Sequence, residues 1–312
     1  MGAGIVRARA RGSDEVDRGL SSRRAATAIA VGLAAAGCGT SKETPVNGPI
    51  AAAYKDGIYL VQPSGAGQRR LPGSAYGSWL DWSRDGRWLV FDRADARGRR
   101  VFDVYVVRRD GTRLRRVLEN AGYPSWAPDG KRLVVTRDSC PNDCESEENT
   151  LELYVIDVSG HVQRRLTTNS GYDGEGSWSP DGDRIAYAGD DGIYVMDADG
   201  SNKRRLMHEP WTQPVWSPDG RKIAYDDGYF EIFVVDAAGG RATRLTHRRQ
   251  PERAPTWSPD GKRIAFLSTD ARCKYCGGEW PMQIWVMNAD GSQQHRIRRE
   301  AGYGPPAWAP SG

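Results

Sequence analysis

The chain has 312 residues, with 11 Trp, 13 Tyr and 37 Gly, and a strongly negative mean hydropathy; this fits a turn-rich globular protein and excludes a disordered chain or a membrane bundle. The formal charge is +4, but six Arg against three acidic residues within 1–37 supply +3 of it, leaving about +1 for the rest. No nucleic-acid partner is expected from so even a balance.

Residues 1–37 read as an export signal of the lipoprotein type. Arg23 and Arg24 precede a run of 12 mostly apolar residues, 25–36, and Gly37 and Cys38 follow. Such a run is too short to span a bilayer, which needs about 20 residues, and suits a signal-peptide core. LAAAGC, ending at Cys38, resembles a bacterial lipobox, with Ala35 where that pattern most often has Leu. The resemblance implies that Cys38 becomes the lipidated first residue of an exported chain, anchored on the extracytoplasmic side of a bacterial membrane. An ordinary cleavable signal with an incidental Cys is the alternative. Residues 38–48 are short, polar and carry Pro and Gly, so they form a flexible tether.

From residue 49 onward one pattern recurs. WSRDGRWLVF begins at Trp82, WAPDGKRLVV at Trp126, WSPDGDRIAY at Trp178, WSPDGRKIAY at Trp216 and WSPDGKRIAF at Trp257; WAPSG begins at Trp308. Ser-Pro-Asp-Gly is turn chemistry: Pro fixes φ at the second position and Gly takes the left-handed one. Strand material lies on either side. A second unit, such as IYVMDADG at Ile193, is a β-branched and aromatic run ending in a Gly turn. A third, such as KRRL at Lys203, closes each cycle; its charge suits an outer edge strand, where it discourages pairing with other molecules.

Each cycle thus predicts four strands, A to D, with A ending at the Trp. The Trp-to-Trp steps are 44, 52, 38, 41 and 51 residues, and a four-stranded period of about 40–45 residues marks a β-propeller blade. Residues 49–312 accommodate six blades. The first blade begins without strand A and the sequence ends with one, so ring closure is expected to pair residues 303–308 with 49–54. The reading is an all-β, six-bladed β-propeller over 49–312, closed by its last strand. The motif Trp is expected to fill the wedge between blades.

The W-S-P-D-G-K-R-I-A-F, I-Y-V-M-D-A-D-G and R-R-L units resemble the TolB-type, WD-like β-propeller repeat, across 49–312. That family includes envelope proteins and the propeller domains of prolyl-oligopeptidase-type proteases, so the resemblance implies a fold and not one function. It implies envelope recognition of a protein or peptide as one use. The α/β domain that precedes the propeller in TolB has no counterpart in the short tether.

No G-x-S-x-G nucleophile elbow and no H-E-x-x-H occur, so no catalytic residue, metal or cofactor is assigned. Cys140 and Cys144 lie in one lengthened B–C loop, Cys273 and Cys276 in another. In an exported chain each close pair reads as a local disulfide; a Cys₄ zinc site joining both loops is the alternative. The D–A loops carry Tyr76, Tyr123, Tyr172, Trp211 and Tyr303, with Glu252 and Arg253 in the sixth blade and Asp173 and Glu175 beside Tyr172. These nine residues are the candidate binding rim, since Tyr and Trp dominate interface hot spots; anchoring of loops against the Trp wedge is the structural alternative. The leading expectation is a non-enzymatic, monomeric, membrane-tethered binding protein of the cell envelope. A propeller lyase or hydrolase acting on polysaccharide, and a small-ligand or sugar sensor, are the alternatives.

Overall fold

The computed structural model describes residues 47–311 apart from 55, 95–101, 139–150, 170, 209–212, 229–230, 248–249, 270–281 and 302–303. Blade one contains β1 (Asn47–Tyr54), β2 (Gly57–Val61) and β3 (Gln68–Arg70). Blade two is β4 (Gly77–Trp82), β5 (Trp88–Ala94), β6 (Phe102–Arg108) and β7 (Arg115–Leu118). Blade three is β8 (Ala121–Trp126), β9 (Arg132–Asp138), β10 (Leu151–Asp157) and β11 (Val162–Arg165). Blade four is β12 (Asp173–Trp178), β13 (Arg184–Gly189), β14 (Gly192–Asp197) and β15 (Arg204–Met207). Blade five is β16 (Val215–Trp216), β17 (Lys222–Asp226), β18 (Ile232–Asp236) and β19 (Thr243–Arg244). Blade six is β20 (Glu252–Trp257), β21 (Arg263–Thr269), β22 (Met282–Asn288) and β23 (His295–Ala301).

The last strand, β24 (Ala307–Pro310), completes blade one by pairing antiparallel with β1, Ile50 opposite Trp308 and Ala51 opposite Ala307. It also touches β20 and β4, the inner strands of the blades on either side, which closes the circle. The chain is a six-bladed propeller of four-stranded antiparallel sheets, as the repeat predicts. The closing pair uses 307–310 against 47–51, later in the last strand and earlier in the first than the expected 303–308 and 49–54.

The motif explains itself in packing. In Trp-Ser-Pro-Asp-Gly, the Ser258 hydroxyl donates to Asp260 at 2.6 Å and accepts from Arg263 N at 2.9 Å, while Gly261 takes φ 68°. The turn is therefore tied by its own side chains before the next strand begins. Each Trp packs against apolar side chains of the preceding blade: Trp178 with Ala127 and Val134, Trp216 with Ala186, Trp308 with Ala265 and Val286. The Arg that ends the motif turn lies over the next blade's indole, Arg132 on Trp178 at 5.0 Å and Arg263 on Trp308 at 5.1 Å. Such a contact adds about 0.5–1 kcal/mol or more per interface.

The outer Arg pairs do more than charge an edge. The first of each pair reaches the C–D turn of the next blade, as Arg115 to the Val158 carbonyl at 2.7 Å and Arg204 to the Ala237 carbonyl at 2.6 Å. The second pairs within its own blade, as Arg116 with Asp103 at 3.2 Å. Blade six has His295 in the first slot, and there Gln294 donates back to the Leu245 carbonyl at 3.3 Å.

Candidate functional site

The axis has two ends. One carries the Ser-Pro-Asp-Gly turns between strands A and B; the other carries the crossovers from each strand D to the next strand A. The inner strands approach the crossover end through a bulge, with register shifts between Ser78 and Asp81, Gly122 and Ser125, Gly174 and Ser177, and Arg253 and Thr256. The bulged residues are Trp79, Tyr123, Glu175 and Ala254, at φ 46°, 52°, 55° and 55°. Non-Gly residues in this region carry about 1 kcal/mol or more of strain each and persist only where neighbours hold them. Here the neighbours are side chains of the preceding blade: Asp92 accepts from Tyr123 N at 3.0 Å, Thr136 from Glu175 N at 3.0 Å and Asp226 from Ala254 N at 2.9 Å.

The candidate rim residues meet this framework unequally. Tyr76 is 62% exposed. Tyr123 is half-buried, with its ring edge-on to Trp79 at 4.4 Å. Tyr172 is half-buried and donates its hydroxyl to Glu175 at 3.1 Å. Asp173 and Glu252 are buried, and Arg253 is exposed. Trp211, Tyr303 and the four loop cysteines, Cys140, Cys144, Cys273 and Cys276, lie outside the described residues, as does Cys38. Tyr123, Tyr172 and Glu175 thus come together, while Tyr76 stands apart from them in the solvent.

Burial sets the electrostatics of this end. It pushes Asp92 up to about 7 against two hydrogen bonds, and Glu175 up to about 7 with Asp226 repelling it further. Asp173 rises to about 6 for the same reason, with Glu152 adding to it, and Tyr123 rises to about 12. Sequence reasoning missed Asp92, Thr136 and Asp226. Their signal was present: each lies ten residues after a motif Trp, in a strand slot occupied by Ala188 and Leu267 in other blades.

At the turn end lies a cavity of about 450 Å³, framed by Trp82, Trp126, Trp178, Trp216, Trp257 and Trp308 from all six blades. Prolines of the turns form its lip, and the residues just before each Trp line its wall. Its charged lining consists of Asp81 and Arg84. Asp81 replaces the Ser125 or Ser177 of neighbouring blades and accepts from Trp126 N at 2.7 Å and the Ser125 hydroxyl at 3.0 Å. Burial raises it to about 6. The tryptophans show only their edges, being 5–7% exposed, so prolines and the small residues before each Trp make most of its surface; cavities of this size bind ligands by shape and apolar contact, with few polar groups fixing orientation. Among the described residues no three His, Cys, Asp or Glu side chains are grouped so as to hold a metal.

The TolB beta propeller domain family matches residues 120–311. The chain belongs to the TolB beta-propeller family. Among curated relatives, Tol-Pal system protein TolB of Anaeromyxobacter dehalogenans is 33% identical over 123 residues, 36% of this chain and 26% of that protein. The chain therefore matches about a quarter of that relative's length. An uncharacterized protein of Agrobacterium fabrum is 30% identical over 172 residues, 49% of this chain and 54% of that one. Among solved structures, TolB from Acinetobacter baumannii superposes with a TM-score of 0.69 at 22% identity, covering 84% of this chain and 67% of the other. At that identity the likeness speaks for the propeller fold alone.

Proposed function

We propose that this TolB-type propeller is a non-enzymatic recognition protein of the bacterial cell envelope that binds an extended peptide segment of a partner protein in its axial cavity. The observation that carries the reading is the cavity of about 450 Å³ on the axis, ringed by the turn prolines and bordered by the small exposed edges of the six motif tryptophans. Aromatic and proline surfaces take extended, apolar or proline-bearing peptide well, because they offer large contact area at little entropic cost. Relatives named as Tol-Pal system proteins support an envelope setting. In this reading the chain is exported, monomeric and tethered by a lipid on Cys38. Replacing Cys38 by Ala should release it from membranes, and undiminished membrane retention would count against the anchor.

The binding reading is tested by selecting a random-peptide display library on the immobilised chain. Ser177 lines the cavity wall, so Ser177→Phe fills the cavity and should abolish capture of the selected peptides while leaving the melting temperature near the parental value. Tyr76→Ala, at the opposite end, should leave capture intact. Peptides that bind Ser177→Phe as well as the parent place recognition elsewhere, with the Tyr76 side the next surface to test.

A further inference from the structure

Position two after the motif Trp is Pro128, Pro180, Pro218, Pro259 and Pro310 in five turns, and Arg84 in the sixth. Five turns thus end in a flat apolar ring at the cavity lip. Blade two instead projects a long cationic side chain. Its guanidinium donates to the Pro180 carbonyl at 3.1 Å, from blade two to blade four with blade three between them, so it crosses the cavity opening. One backbone carbonyl occupies one of five guanidinium donors. Among the described residues the ion pairs place carboxylates on outer-strand arginines such as Arg116, Arg165 and Arg205 and on Arg87, Arg132 and Arg184 of the turns, and none on Arg84. Asp81, the other charged residue of the lining, holds Trp126 N and Ser125 on one oxygen and Trp82 N on the other at 2.9 Å. It is engaged with its neighbours; Arg84 is the cation left facing the opening.

We propose that Arg84 is the specificity-determining residue of this cavity and selects a peptide segment in which an Asp or Glu side chain is flanked by apolar residues. The inference rests on the peptide-binding reading above. A guanidinium fork matches a carboxylate in a bidentate pair, and an incoming carboxylate replaces the weaker carbonyl of Pro180. Arg84 sits at the lip and not at the base. A chain terminus inserted past it would bury its own carboxylate beside Asp81, unpaired, which is strongly unfavourable. The carboxylate that Arg84 reads therefore belongs to a side chain along the segment, with apolar neighbours packed against the Trp and Pro walls.

The test compares display selections on the full chain and on Arg84→Pro, which installs the residue the other five turns carry. Thermal melting checks that the variant folds, and a Pro compatible with the turn is expected to leave the melting temperature unchanged or slightly raised. The parent should enrich peptides with Asp or Glu at one fixed position among apolar ones. Arg84→Pro should keep the apolar positions and lose the acidic one. For a synthetic selected peptide, Glu→Gln should weaken binding to the parent about tenfold or more, with no change on Arg84→Pro; Arg84→Lys should restore part of the difference. Selected peptides without an acidic position, or an acidic preference unchanged in Arg84→Pro, overturn the role of Arg84 and leave cavity binding standing. A preference that disappears on amidating the peptide's C-terminus overturns it as well. Failure to select any peptide sensitive to Ser177→Phe removes the cavity reading itself, and this inference with it.

Discussion

The two ends of the axis are made by the same inner strands, and the carboxylates of the motif turns are treated in the opposite way from those of the crossover end; buried Asp81, behind the turns, is raised like the latter. At the turn end the motif carboxylates are exposed enough to be stabilised as anions: the hydroxyls of Ser179 and Ser217, with backbone amides, hold Asp181 and Asp219 below the usual carboxylate range. At the crossover end burial drives Asp92, Glu175 and Asp173 upward, and Asp92 and Asp226 serve as staples that hold the next blade's bulged strand. One end offers an aromatic cavity with a cation at its lip. The other devotes its polar groups to holding strained backbone in place. The titratable groups of the crossover end are thus accounted for by the structure they hold.

The largest effect should come from removing residues 303–312, which deletes β24 and takes Trp308 from the cavity wall. Blade one is then left with β1 as an unpaired inner edge, blade six loses the Trp308 indole packed on Ala265 and Val286, and the cooperative thermal transition should be lost. A truncated chain that melts like the parent contradicts the closed ring. Next is Trp178→Ala, which removes an indole packed between blades three and four and its contact with Arg132. Truncation of a buried aromatic costs about 3–5 kcal/mol, to be read from denaturant unfolding; a loss below about 1 kcal/mol would mean the wedge is not built on this residue.

The acid–base contrast gives a third prediction. Asp92 is raised from 3.8 to about 7, so the fold retains a proton that the unfolded chain has released. Its contribution is full below the ordinary carboxylate range and is lost as pH rises to about 7, by ~4 kcal/mol at most. Unfolding free energy should therefore fall between about pH 4 and about pH 7, and Asp92→Asn should shrink that fall. The turn carboxylates act with the opposite sign and in another window, because their lowered values remove stability only as pH drops below about 4. An identical pH profile in parent and Asp92→Asn would show that Asp92 is not the proton holder. The smallest effect belongs to Tyr76→Ala: this side chain is exposed, and stability should change by no more than about 0.5 kcal/mol.

The ring, its blade count and its closure were legible because they rest on repetition: six Trp motifs in fixed relation to turn and strand units leave little freedom. The Trp wedge was legible for the same reason. The inward packing of Tyr123 and Tyr172 was legible only as the alternative of loop anchoring. A loop aromatic before strand A reads as surface, and only the left-handed bulge at Tyr123 and Glu175 redirects the chain; neither position carries the Gly that would announce it. The outer Arg pairs were read as edge charge, since a contact between Arg115 and Val158 spans 43 positions and leaves no local pattern. Arg84 was visible in the sequence as the missing Pro of one turn. Which opening it faces depends on the turn's orientation, and that is a property of the closed ring.

The central claim is that ligand enters at the turn end. Hydrogen–deuterium exchange of the full chain, with and without a selected peptide, reads it most directly. The account predicts added protection in the cavity-lining segments 124–128 and 176–180, with exchange around Tyr76 and through 172–175 unchanged. Protection confined to Tyr76 and 172–175, with the turn segments exchanging as before, would contradict it.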